Sequence, residues 1–482
     1  MSQSIKKNYF FNLISTLAGI LFPLVTFPYA SRIMEADGIG QVGFYNSIIN
    51  YISLFTSLGI PIYAIREIAR VRDNEEEMNK TVVEIVLLHS FLTFIGYIIV
   101  AVLCATVEKI AINIPMFLVL SSAIFFNAIG CEWFYKGIED FEYITIRGLV
   151  VRIVSTISLF VFVHTKADLI IYAGLTVFGT IGNNIFNFLR LRKHISISRL
   201  RLQDLYISRH LIPAFRIFAL NLVISLYVNL DTVMIGFFKD NTSVGYYEGA
   251  TKLTKLLLGV VQALQTAMIP RFSYLAKPET MKEFDALCQK VVDFVVTISI
   301  PFAIGLYVLS PTLIHLFCGP SYEPAVLTLE IISPIIILIS LSGIPCFQIL
   351  YPLGHENIAI WSTITGALIN LMICIILIPI YSYNGAAIAT VVGEMTVTIT
   401  MFLYGYKYIN VKYFSVHYLN CIIGSFLVFV CIMPIRIVNL GNWMSIFIIP
   451  FVGSIVYCFY LYVRKDSFCM YVIELINNKI KR

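Results

Sequence analysis

Glu248, Lys252, Lys255, Gly259 and Gln262 follow one another at steps of four, three, four and three, so on a helix they share one face. The intervening residues are chiefly Leu, Val and Ala. Two lysines with a single acid on one stripe leave a cation that its own helix does not compensate. Surrounded by apolar residues, such a cation is suited to hold an anion; neutralisation of both lysines by Glu248 and Asp231 is the structural alternative. Arg216, Asn221, Ser225, Asn229 and Asp231 form a second polar series just upstream. Asp231 reads equally as a salt-bridge partner or as a carboxylate that binds a coupling ion. Glu394, with Thr390 and Thr398 four residues to either side, suits a proton or sodium ion, or an interhelical hydrogen bond. Arg152 reads as a snorkelling arginine or a second anion contact. Asn46, Asn50, Ser53 and Ser57 make a further, uncharged stripe.

Other chemistry is missing from the chain. No Walker A sequence, no C-x-x-C and no His or Cys at metal-ligand spacing occurs among the ten cysteines and seven histidines. His89, His164, His315 and His355 stand apart as packing or loop residues. Neither a cofactor nor a metal is expected, only coupling to a Na+ or H+ gradient, and the expected class is not an enzyme.

The elements that carry these residues follow from composition. Of 482 residues, 59% are hydrophobic and 13% charged, against ~25% charged in soluble proteins, and the mean hydropathy is +0.85. One core cannot absorb that much apolar surface, so lipid must be the solvent; a soluble enzyme and a nucleic-acid binder are excluded. Runs of about 20 apolar residues predict an all-α integral membrane protein with about fourteen spans. They lie near 9–31, 42–65, 82–107, 110–131, 148–164, 168–189, 213–237, 245–268, 291–310, 325–350, 359–381, 384–405, 417–437 and 443–463. Lys255 then lies ten residues into the eighth span, about 15 Å deep and near the middle of the bilayer. The first span is long, contains Pro23 and Pro28, and is read as retained rather than cleaved.

With the N-terminus inside, twenty-five Lys and Arg fall on inner segments. Only Arg32, Lys109, Lys166, Lys239 and Arg436 fall on outer ones. That bias places both termini in the cytoplasm. VGFYNS (Val42–Ser47) recurs as VGYYEG (Val244–Gly249), each copy expected to follow a short outer loop and open an outside-to-inside helix. An offset of six helices preserves orientation, which implies two six-helix lobes related by a pseudo-two-fold along the membrane normal. The predicted division is an N-terminal lobe over 1–189, an interfacial cytoplasmic linker over 190–212, and a C-terminal lobe over 213–405. Two extra helices and a tail occupy 406–482. A cavity between such lobes is a transporter feature.

Three stretches resemble the Wzx-type polysaccharide and O-antigen flippases of the multidrug/oligosaccharidyl-lipid/polysaccharide exporter superfamily. They are FPLVTFPYASRIMEADGIGQVGFYNSIINYISLFTSLGIPIYAIREIAR (Phe22–Arg70), EWFYKGIEDFEYITIR (Glu132–Arg147) and NLDTVMIGFFKDNTSVGYYEGATKLTKLLLG (Asn229–Gly259). The resemblance implies a protein of the bacterial inner membrane that moves an undecaprenyl-diphosphate-linked oligosaccharide to the outer leaflet by alternating access. It also implies membrane lipids, a polysaccharide polymerase and chain-length proteins as partners. On this reading Lys252, Lys255, Arg216, Arg152, Asn221 and Asn50 meet the cargo, while Glu394, Asp231 and Glu248 serve coupling. The first span lacks a charge before Arg32, so an anion contact there is missing. A drug/cation antiporter of the same superfamily is the nearest alternative, although lysines would repel cationic drugs. A membrane-embedded polymerase or ligase is the alternative enzyme, and it needs a large outer loop that this chain lacks.

Overall fold

A computed structural model describes residues 5–195, 203, 205–408, 410–412, 415–438 and 441–480. Among them there is no strand. The chain divides into two compact units, Met1–Gly245 and Tyr246–Arg482.

Unit 1 holds α1 (Ile5–Ser57), α2 (Ile60–Val71), α3 (Glu75–Thr106), α4 (Glu108–Ala111), α5 (Ile114–Gly130), α6 (Glu132–Gly137), α7 (Phe141–Phe162), α8 (Leu169–Ile181), α9 (Asn183–Leu191) and α10 (Leu211–Phe238). The unit boundary falls inside α11 (Asn241–Leu275). Unit 2 continues with α12 (Met281–Phe317), α13 (Ala325–Ile332), α14 (Ile335–Gly343), α15 (Glu356–Gly405), α16 (Val416–Val438), α17 (Asn442–Val463) and α18 (Ser467–Ile480).

Helix starts follow side-chain chemistry. Asn74 accepts from the Glu77 amide at 3.2 Å, Asn113 from Met116 at 3.3 Å and Asp140 from Tyr143 at 3.4 Å, so each satisfies an amide that α3, α5 or α7 leaves open. In unit 1, α1 packs on α3, α5, α7 and α10; in unit 2, α12 packs on α14, α16 and α17. On α17, Ser445, Ile449, Gly453, Tyr457 and Leu461 are buried, while Trp443, Phe447, Phe451, Ile455 and Phe459 are exposed. Two apolar stripes on opposite faces, one against protein and one bare, describe a helix that faces lipid.

Among the described residues, nine helices are long and apolar enough to cross a bilayer, or ten if the bent pair Lys166–Ile181 and Asn183–Leu191 is one span. This is a multi-pass membrane protein. Two of the nine, Leu21–Val71 and Glu356–Gly405, run 51 and 50 residues, more than twice the ~20 that a crossing needs. Within them, α1 and α15 each contain a single interior residue that leaves helical geometry: Glu35 (φ 53, ψ −172) and Ser382 (φ 54, ψ −135).

The sequence predicts a short outer loop over 32–41, and the structure corrects this. Met34, Ala36, Ile39 and Val42 are all buried, so the helical path persists to either side of Glu35. The predicted end of the second span at residue 65 also shifts. α1 stops at Ser57, Leu58 and Gly59 both take positive φ, and amphipathic α2 begins at Ile60. The tenth predicted span divides into α13, α14 and a π-helical turn, Ile344–Leu350, at Pro334 and Pro345. Part of the predicted linker, residues 196–202 and 204, lies outside the described residues.

Candidate functional site

The polar stripe of α11 is its open face. Ala250, Leu253, Thr254, Leu258 and Val261 are buried, whereas Lys255 and Gln262 are exposed. Glu248 Oε2 lies 3.8 Å from Lys252 Nζ, one turn along the helix, with 39% of the Lys252 side chain exposed. That is a long pair in partly solvated surroundings. Among the described residues, no carboxylate lies within 4 Å of Lys255. The stripe then turns inward at Gln265, which donates to the Ser340 carbonyl at 2.7 Å.

Glu394 is buried on the second half of α15. One turn before it, the hydroxyls of Thr390 and Tyr247 lie 2.9 Å apart, which fastens this part of α15 to the start of α11. Thr398 donates to the backbone carbonyl of Glu394 at 2.8 Å and so leaves the carboxylate to other partners. Glu248, Lys252, Lys255 and Glu394 thus all belong to unit 2, on two helices that touch.

The other predicted residues belong to unit 1. Asp231 is buried, 5% exposed, within electrostatic reach of Tyr51 on α1. Asn50 is exposed beside Tyr51, and Arg216 is exposed near the start of α10. Arg152 donates to the Ser15 carbonyl of α1 at 3.2 Å, so it ties α7 to α1. The side chains of Asn221 and Ser225 lie outside the described residues.

Unit 2 also contains a cavity of about 920 Å³ among α12, α16, α17 and α18, lined by Phe294, Phe302, Ile432, Tyr457 and Phe459, among others. It carries no charged lining, so it suits an acyl chain and not a diphosphate.

Two buried networks went unread in the sequence. Glu84, whose side chain has no exposure, accepts from the Tyr206 amide (2.6 Å), Arg209 Nε (2.7 Å) and His210 Nε2 (2.7 Å). Tyr63 lies 2.7 Å from His210 Nδ1. Burial holds the His210 imidazolium below its ordinary range. The fitting tautomer is therefore neutral, with Nε2–H donating to Glu84 and Nδ1 accepting from Tyr63. In unit 2, His417 Nδ1 meets Asp466 at 2.8 Å, and Asn420 donates to the same carboxylate at 3.1 Å. The available signal was an acid and two histidines at the very edges of apolar runs. Among the described residues, no cluster of His, Cys, Asp and Glu could hold a metal.

The sequence pattern of the family described as "Polysaccharide biosynthesis protein" matches residues 5–276. A protein of Escherichia coli (strain K12) named for O-antigen transport is 24% identical over 401 residues, covering 83% of this chain and 96% of its own. A Haloferax volcanii protein named as a flippase of low-salt glycan biosynthesis is 23% identical over 232 residues, 48% of this chain and 49% of its own. Among solved structures, the lipid II flippase MurJ in an inward closed conformation superposes with a TM-score of 0.73 at 14% identity, covering 95% of this chain and 98% of that one. A multidrug resistance transporter of the MATE family, inward-facing, gives 0.62 at 13% identity, over 82% and 97%. At these identities the superpositions speak for the fold alone.

Proposed function

Because the chain belongs to the polysaccharide biosynthesis protein family, we propose that it is a flippase that carries an undecaprenyl-diphosphate-linked oligosaccharide from the inner to the outer leaflet of a bacterial inner membrane by alternating access. The carrying observation is the open cationic face of α11. A diphosphate cannot cross hydrocarbon unaided; Lys255, without a carboxylate within 4 Å among the described residues, and Lys252, with one at 3.8 Å, supply charge for it. Arg216 and Asn50 are exposed and serve as further cargo contacts, with Arg152 and Asn221 completing the proposed set. Glu394, Asp231 and Glu248 are the proposed coupling carboxylates. The relatives named for O-antigen transport and glycan flipping support a glycan cargo.

The proposed topology has fourteen spans, counting the two helices broken at Glu35 and Ser382 as two each and adding α8 with α9, α10 and α11. These form two six-helix lobes with two additional helices, and both termini are cytoplasmic. A potential that is negative inside favours outward movement of an anion by about 2.3 kcal/mol per charge per 100 mV, which leaves resetting of the empty carrier to an ion gradient. The test is export of polysaccharide by a Lys252→Gln/Lys255→Gln variant at wild-type membrane abundance. Loss of export supports the reading, and normal export overturns it.

A further inference from the structure

One ammonium gathers the carbonyls of the turn between α10 and α11. The Lys109 ammonium donates to the carbonyls of Gly236 (2.7 Å), Phe237 (3.0 Å) and Lys239 (2.6 Å), which uses all three of its N–H groups. These carbonyls belong to the last turn of α10, the end that carries the negative pole of the helix dipole. Many helices close that end with a glycine in the left-handed region. Here the closing residue is Lys239 (φ −127, ψ −128), and the carbonyls are met by a lysine 127 to 130 residues earlier in the chain. The same segment is tied to α1, because Tyr45 donates to the Lys109 carbonyl at 2.9 Å.

Beside this tie, α1 and α11 cross without side chains. A Cβ on Gly40 would lie 1.7 Å from the Asn241 oxygen, and one on Gly245 would lie 1.9 Å from the Ala36 oxygen. Only glycine permits that approach. At the rim, Thr242 reaches the Asp37 carboxylate at 3.5 Å. Phe44 of α1 occupies the space above Gly236 and meets the Phe237 ring edge-on at 5.2 Å, so the turn rests on apolar packing, and Lys109 is the cation that gathers its carbonyls.

We infer that Lys109 is a latch: it holds the α10–α11 turn against α1 in the state seen here, and its release, with parting of Gly40 from Gly245, opens this end of the protein during transport. The inference rests on the flippase reading and on the charge bias that puts this end outside. A cap that is permanent would show the same distances, so the test must follow Lys109 during turnover.

In intact cells, a membrane-impermeant acylating reagent followed by mass spectrometry reads the wild-type protein. Lys109 should react at least tenfold more slowly than Lys166, whose side chain is 64% exposed, and its rate should rise severalfold when lipid-linked glycan is being exported. Equal rates at the two lysines, or protection of Lys109 that is the same at rest and in turnover, overturn the latch. Independently, Asp37→Cys/Thr242→Cys joined by a short reducible crosslinker should stop export, and reduction should restore it. Export that continues through the crosslink also overturns the latch. If wild-type protein exports no glycan yet Lys109 acylation still rises on addition of undecaprenyl diphosphate, the flippase reading fails and the latch stands.

Discussion

Replacing Lys255 by Gln should weaken binding of a lipid diphosphate more than any other single change on α11. The substitution keeps much of the side chain's length and removes the charge. A hydrogen bond to a charged group contributes roughly 1.5–3 kcal/mol, so the dissociation constant should rise about 10- to 150-fold. Lys252 differs because Glu248 holds it at 3.8 Å and neutralises part of its field. An i,i+4 pair in partly solvated surroundings is worth only ~0.3–0.5 kcal/mol, so Lys252→Gln should cost less than Lys255→Gln, and Glu248→Gln should tighten binding by about twofold. The assay is equilibrium binding of undecaprenyl diphosphate to protein in lipid nanodiscs, with each variant matched for folded amount. Wild-type affinity in Lys255→Gln, or a larger loss in Lys252→Gln than in Lys255→Gln, refutes the reasoning.

Glu394→Gln should slow turnover and abolish its dependence on a pH or sodium gradient while cargo binding survives; an unchanged gradient dependence in vesicles would make Glu394 a hydrogen-bond partner of its neighbours. Reporter fusions after Asn74, Ser198 and Asn477 should report cytoplasm and one near Asn241 the outside, and an outside signal at Ser198 would undo the topology. Glu84→Ala should lower stability by about 2–3 kcal/mol, below the usual ~3–5 for a broken buried pair because Arg209 is 38% exposed and keeps Glu77 at 3.0 Å; thermal unfolding in detergent at matched pH measures it. His210 resists protonation when folded, so its contribution is intact above the ordinary value of 6.5 and is lost as pH falls below it, where the unfolded chain takes up the proton. The melting temperature should therefore drop between pH 7 and pH 5, and His210→Gln should flatten that slope.

The α11 stripe was legible because its register depends only on helical periodicity, and its open face follows from the Leu and Val around it. The break at Glu35 was not legible. A single non-glycine residue at φ 53 carries no Gly or Pro signal, so the sequence reads a loop of ten residues where the structure has a kink. Glu84 was hidden for a different reason. A span drawn to begin at residue 82 treats an acid at 84 as an interfacial residue, and its burial depends on Arg209 and His210, 125 and 126 residues later. The pairing of His417 with Asp466 likewise joins residues 49 apart, beyond the reach of local spacing. The sequence reads Arg152 as a snorkelling arginine or a second anion contact, and its bond to the Ser15 carbonyl follows only from the packing of α7 on α1.

The distance along the chain between Glu84 and its partners has a consequence for synthesis. At about 5–20 residues per second, α3 emerges from the ribosome roughly 6–25 seconds before Arg209 does. Throughout that interval the nascent protein carries an acid that nothing yet compensates, in a segment whose insertion such a residue disfavours by up to about 3 kcal/mol. Either the carboxyl stays protonated until Arg209 and His210 arrive, or the insertion machinery shelters α3 for the length of the six helices α4 to α9. A ribosome stalled before residue 209 should thus leave α3 extractable from the membrane, and one stalled well after it should not.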